Sequence, residues 1–109
     1  MYIIVLKYLV PKKIIGLTIF PFIIVKDKKL KLDKVFINHE KIHLRQQLEL
    51  LILPFFVWYF LEFFFRFMIC LNWSKSYRSI SFEKEAYCNE MNFNYLEKRT
   101  LYRFLKYII

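Results

Sequence analysis

Asp33-Lys34-Val35-Phe36-Ile37-Asn38-His39-Glu40-Lys41-Ile42-His43-Leu44-Arg45-Gln46-Gln47-Leu48-Glu49-Leu50 is the stretch whose reading decides the fold. Asp33 is an N-cap by type, because its carboxylate can accept the free N–H groups of a first helical turn. A helix follows from Lys34 to about Leu53. Val35, Ile42, Leu44, Leu48, Leu51 and Ile52 supply its apolar faces, while Lys41, Arg45 and Glu49 can face water. Inside it lies H-E-x-x-H, running from His39 to His43 and holding both histidines of the chain. A spacing of four on a helix sets both imidazoles on one face, one turn apart, where they can grip one metal ion. Glu40 then lies beside that ion, placed to take a proton from a bound water.

On the N-terminal side, residues 14–26 are rich in β-branched and aromatic types and carry the only glycine, Gly16. The run is too short to span a bilayer as a helix and reads as strand. Pro21 confines it to an edge or breaks it in two. Lys26 to Lys29 reads as a turn and Leu30-Lys31-Leu32 as a short returning strand, giving a β-hairpin over about residues 14–32.

On the C-terminal side, Pro54 kinks or ends the first helix. Residues 55–71 form a second, very apolar helix, and the run from Leu50 to Leu71 is long enough to cross a bilayer. It carries Glu62 and Arg66 at ion-pair spacing, however, so it is not a clean transmembrane span. An interfacial helix, a true span with an internal ion pair and a core helix all fit the pattern. Asn72 to Ser81 reads as a polar loop. A last helix starts near Ser81 or Phe82 and runs to Lys98 or beyond. The basic, amphipathic tail from Arg99 suits a membrane surface or packing on the hairpin. The sequence therefore predicts a single domain over residues 1–109, α+β and predominantly α. Its order is an N-terminal β-hairpin, the H-E-x-x-H helix, a strongly apolar helix and a glutamate-bearing C-terminal helix.

Composition narrows the partners. The chain is 58% hydrophobic and 21% aromatic, with Phe 13 and Tyr 8. That is more apolar surface than a small globule hides, so some of it is expected to face lipid or a partner. Lys and Arg total 18 against 9 for Asp and Glu, and 18 − 9 = +9. Such a charge with so many aromatics suits anionic headgroups at least as well as nucleic acid. No zinc-finger spacing, RNA-binding strand or helix-turn-helix is visible, and nucleic acid is not expected. Cys70 and Cys88 form no CxxC pair and read as two buried, reduced thiols. Lys7 interrupts the first apolar run, Lys12 and Lys13 follow, and no cleavable signal peptide is expected. The expected location is membrane-associated or cytoplasmic.

Two histidines supply zinc with half of a tetrahedron, and a catalytic site takes a third protein ligand and leaves a fourth position to water. That third ligand should be a carboxylate of the later helix, where Glu83 and Glu85 are available. They lie about 200° apart around a helix, so only one can point at the metal.

These residues carry a resemblance. H-E-x-x-H on one helix and E-x-x-A-D on a second is the pattern of gluzincin metallopeptidases, and Glu83-Lys84-Glu85-Ala86-Tyr87 is similar to the second motif. Small gluzincins with H-E-x-x-H-x-x-x-Q and E-x-E-A-D are matched further by His43 to Gln47. Asn38 to Leu50, Tyr77-Arg78 and Phe82 to Tyr87 also resemble small proteins of Bacteroidetes-type bacteria. The resemblance covers the two motif helices and implies a minimal zincin-like domain. It implies Zn2+ held by His39, His43 and Glu83, with Glu40 as general base acting on a peptide or protein substrate. Tyr87 stands where the family has an aspartate that orients a metal-bound histidine. Tyr77, Arg78 and Tyr87 are candidates for stabilising a developing oxyanion. In such enzymes an extended peptide pairs with an edge strand, here residues 14–26. A non-catalytic metal-binding protein and a membrane-anchoring or interaction protein are the competing expectations.

Overall fold

A computed structural model describes residues 2–5 and 16–108. Residues 14 and 15 of the expected hairpin lie outside the described residues, as do Lys7, Lys12 and Lys13. The fold is α+β and predominantly α, with a small N-terminal sheet. β1 (Tyr2–Val5), β2 (Gly16–Ile19) and β3 (Phe22–Val25) form that sheet in the order β1-β3-β2. β2 and β3 pair antiparallel across the turn at Phe20-Pro21, from Ile19 opposite Phe22 to Gly16 opposite Val25. Pro21 thus divides the apolar run, as its missing N–H requires. β1 lies parallel on the other side of β3, Tyr2 opposite Phe22 and Val5 opposite Val25. Leu30 to Leu32 is not a returning strand: Lys28–Leu32 forms a 3-10 turn. The edge of β3 where a return would pair is already filled by β1, a partner far away in sequence.

α1 (Lys34–Leu50) begins where Asp33 accepts the Phe36 N–H at 3.0 Å. A methyl group on Gly16 would stand 2.5 Å from the Phe36 ring and 3.0 Å from the Ile24 carbonyl oxygen, so the missing side chain makes room for Phe36 in the first turn of α1. α1 ends at Leu50, short of the expected Leu53, because Leu51 takes a positive φ of 63°. α2 (Ile52–Cys70) then starts anew, with Pro54 in its first turn where no helical N–H partner is lost. Glu49 turns inward rather than to water, whereas Leu48 and Leu51 are exposed.

The segment expected as a loop contains α3 (Trp73–Ser79). Asn72 caps it by accepting the Lys75 N–H at 3.0 Å, and buried Ser76 bonds back to the Asn72 carbonyl at 2.7 Å. Local propensity is poor there, and packing against α2 and α4 overrides it. α4 (Ser81–Asn89) stops well before Lys98. The amide of Asn38 donates to the carbonyls of Asn89, Glu90 and Asn92 at 3.3, 2.8 and 3.0 Å. That one side chain satisfies carbonyl groups a helix end leaves free. A single turn, α5 (Tyr95–Lys98), and a 3-10 turn at Arg103–Tyr107 complete the described chain.

The tail packs on α4 and α2 rather than on the hairpin. Phe104 is buried, 4.6 Å from the ring of Phe82 and 5.2 Å from that of Trp58. Arg99 is buried between Glu49, at 2.7 Å, and Glu85. Two apolar clusters result: Ile23, Val25 and Leu44 between sheet and α1, and Phe55, Ile80, Phe82 and Phe104 between α2, α4 and the tail. Cys70 and Cys88 are not buried thiols; both are free and exposed.

Candidate metal centre

α1 lies between sheet and α4, and its 3.6-residue period divides the motif between the two neighbours. His39, His43 and Gln46 face α4, while Glu40, about 100° further round from His39, faces β2. On α4, Glu83 and Glu85 point in different directions. Glu83 meets the histidines. Glu85 instead takes Arg99, the Tyr95 hydroxyl at 2.6 Å and the Gln46 amide at 2.9 Å.

Nε2 of His39 and Nε2 of His43 are 3.2 Å apart, and each is 3.1 Å from Oε1 of Glu83. All three residues are buried. Each ligand is also held from behind. His39 Nδ1 stands 2.7 Å from Oε2 of Glu90, and His43 Nδ1 stands 2.8 Å from Oε1 of Gln46. The Tyr59 hydroxyl donates to Oε2 of Glu83 at 2.7 Å. With both Nδ1 atoms donating to oxygen, both Nε2 lone pairs aim at the Glu83 oxygen. Three acceptors then converge with no proton among them, an arrangement that a cation resolves. Ligands of a tetrahedral ion at about 2.0–2.1 Å stand about 3.3 Å from one another. The observed triangle of 3.1–3.2 Å fits that spacing.

Electrostatics agree with the geometry. Burial alone pushes the His43 imidazole down, but the adjacent Glu83 carboxylate, with Glu40 and Gln46, outweighs it and raises the group to about 9. Burial would likewise raise Glu83, yet His43 and His39 hold its carboxyl well below the usual carboxylate range. Without a cation, a proton on the His43 ring, facing the Glu83 carboxylate, takes its place.

Glu40 accepts a hydrogen bond from the Thr18 hydroxyl of β2. Gln47, one turn below His43, ties the same strand: its amide donates to the Thr18 carbonyl and its oxygen accepts the Phe20 N–H, both at 2.6 Å. Tyr87 packs edge-on against the His39 ring, centroids 4.5 Å apart. It does not orient His39 as the aspartate of the gluzincin pattern would, because Glu90 occupies the second nitrogen of His39. Tyr77 and Tyr87 stand edge-on with ring centroids 6.4 Å apart, and in both burial, followed by the Glu83 charge, raises the phenol so that it stays protonated. The Arg78 guanidinium lies 4.6 Å over the Tyr87 ring rather than beside the ligands.

Sequence reasoning misses Glu90, Gln46, Tyr59, Thr18 and Asn38. Only Gln46 carries a signal, three residues after His43 on the same helix face. Tyr59 is hidden in an aromatic run, and Glu90 follows the end of α4, where no periodicity reports direction. No protein-family model, no curated protein and no solved structure matches the chain. The class it falls in is therefore set by fold and site: a small helical domain with a buried two-histidine, one-glutamate cluster.

Proposed function

We propose that the chain is a zinc-dependent, gluzincin-like metallopeptidase that hydrolyses peptide bonds. One observation carries the reading: three donor atoms 3.1–3.2 Å apart converge on one point, with Glu40 on the adjoining flank of the same helix. Two imidazoles and a carboxylate form a donor set that suits zinc, whereas calcium and magnesium take oxygen. His39, His43 and Glu83 would hold the ion. Bound there, zinc would bring the pKa of a water towards neutrality and polarise a carbonyl. Glu40 accepts the proton of the attacking water and returns it to the leaving amine nitrogen. The Thr18 hydroxyl holds Glu40 in place for both transfers. Tyr77 and Tyr87, kept protonated, are donors available to a developing oxyanion. Among the described residues β2 is an edge strand, the kind of element an extended peptide pairs with, though Gln47 already occupies its Thr18 carbonyl and the adjoining Phe20 N–H.

Burial of all four polar groups favours a second reading, a structural zinc staple in a domain with a small core. Glu40→Gln separates the two. The variant should retain one zinc per chain and the wild-type melting profile while losing peptide hydrolysis. Hydrolysis unchanged by Glu40→Gln would overturn the catalytic assignment. Zinc bound by a wild type that cleaves no peptide of a diverse library would favour the staple.

A further inference from the structure

α2 contains 19 residues and buries one side chain, Phe55. At 100° per residue its positions divide into two halves. One carries Phe55, Tyr59, Glu62, Phe63 and Arg66 and rests on α3, α4 and the tail. The other carries Leu53, Val57, Phe60, Leu61, Phe64 and Met68, which are 52–74% exposed. No charge lies in that outer half. Glu62 turns inward and accepts the N–H and the hydroxyl of Ser81, capping α4. Arg66 turns inward and donates to the Ile108 carbonyl. The two charges that argue against a membrane helix in the sequence are therefore spent inside the fold. A face this large and apolar exceeds what soluble monomers leave in water.

We propose that the outer half of α2 docks into the surface of an anionic lipid bilayer, with the helix axis along the membrane plane. Two observations select lipid and a third sets the disposition of the helix. The net charge of +9 draws the chain to anionic headgroups. From Leu53 to Met68 the outer half runs about 23 Å without a polar side chain, so nothing there sets the register that a protein partner would need. The inner half is covered by α3 and α4, so a transverse helix would carry exposed Lys75 and Arg78 of α3 towards hydrocarbon, whereas an in-plane helix leaves them in water. Tyr59 of the inner half bonds Glu83, so docking would hold the candidate metal centre roughly one helix diameter, about 10 Å, above the lipid. The inference stands on a surface the metal site does not use and does not depend on zinc.

Flotation of the full chain with vesicles of equimolar phosphatidylcholine and phosphatidylglycerol tests it. The wild type should float. Leu61→Glu with Phe64→Glu should lower partition at least about tenfold, while circular dichroism stays unchanged because both positions are exposed. Leu32→Glu, 84% exposed and outside α2, should float like wild type. In Trp73→Phe, Trp58 fluorescence should be quenched more by shallow than by deep nitroxide lipids. Flotation of the double variant at the wild-type level overturns the proposal. So does a wild type that stays unbound as a dimer which the same two changes dissociate, since the occupant would then be a second copy. Stronger deep quenching overturns the in-plane disposition.

Discussion

Glu90 has no motif to announce it, yet its carboxylate lies 2.7 Å from the second nitrogen of His39 and should set how tightly the site holds metal. Hydrogen bonds to a charged group contribute about 1.5–3 kcal/mol. The Glu90 side chain is 24% exposed, so water screens part of the interaction and the lower figure, about 1.5 kcal/mol, applies. Since about 1.4 kcal/mol is a factor of ten in affinity, Glu90→Ala should weaken zinc binding about tenfold. Glu90→Gln keeps an acceptor without the charge and should cost less, roughly threefold. Tyr87→Phe keeps the ring 4.5 Å from His39 and loses only the hydroxyl; its effect should stay under about twofold. Competition titration against a chromogenic chelator at fixed pH and salt measures all three, with thermal melts confirming the fold. If Tyr87→Phe costs more than Glu90→Ala, the phenol orients His39 after all and the assignment to Glu90 is wrong.

Two further outcomes follow from the same contacts. In metal-free protein, His43 is raised from 6.5 to about 9 by Glu83 against the pull of burial, so its contribution to stability is complete below 6.5 and is lost as pH rises through about 9. Melting of chelator-treated protein should fall across that window, and apparent zinc affinity should weaken up to about tenfold per pH unit as pH drops below 9; a flat profile in both measurements would contradict the His43–Glu83 coupling. Gln47→Leu strands the Thr18 carbonyl and the Phe20 N–H together and should cost about 2–4 kcal/mol in urea denaturation, whereas a loss below about 1 kcal/mol would mean that β2 is held by other contacts.

What could be read along the chain is what depends on near neighbours. Asp33 caps the helix that its type implies, and Pro21 splits the strand that its missing N–H cannot continue. The errors fall where distant segments intervene. Leu30-Lys31-Leu32 alternates like a strand, but β1 has taken the edge it would need. Ser81 to Lys98 has helical composition, but Asn38 captures the carbonyls at its middle. Glu62 and Arg66 look like flaws in an apolar helix because their partners, Ser81 and Ile108, lie far along the sequence.

The candidate site divides the same way. Backbone hydrogen bonding gives a helix a rigid period, so the sequence alone determined that His39 and His43 share a face and that Glu40 lies on the next. Glu83 and Glu85 are equivalent at that level, because both lie on one short helix whose rotation about its own axis is not written locally. Tertiary structure decided between them. Asn38 and Gln46 fix how α4 lies against α1, Arg99 claims Glu85, and Glu83 is left facing two imidazoles. Relative helix rotation is a property of packing between segments, and that packing exists only once the chain has folded.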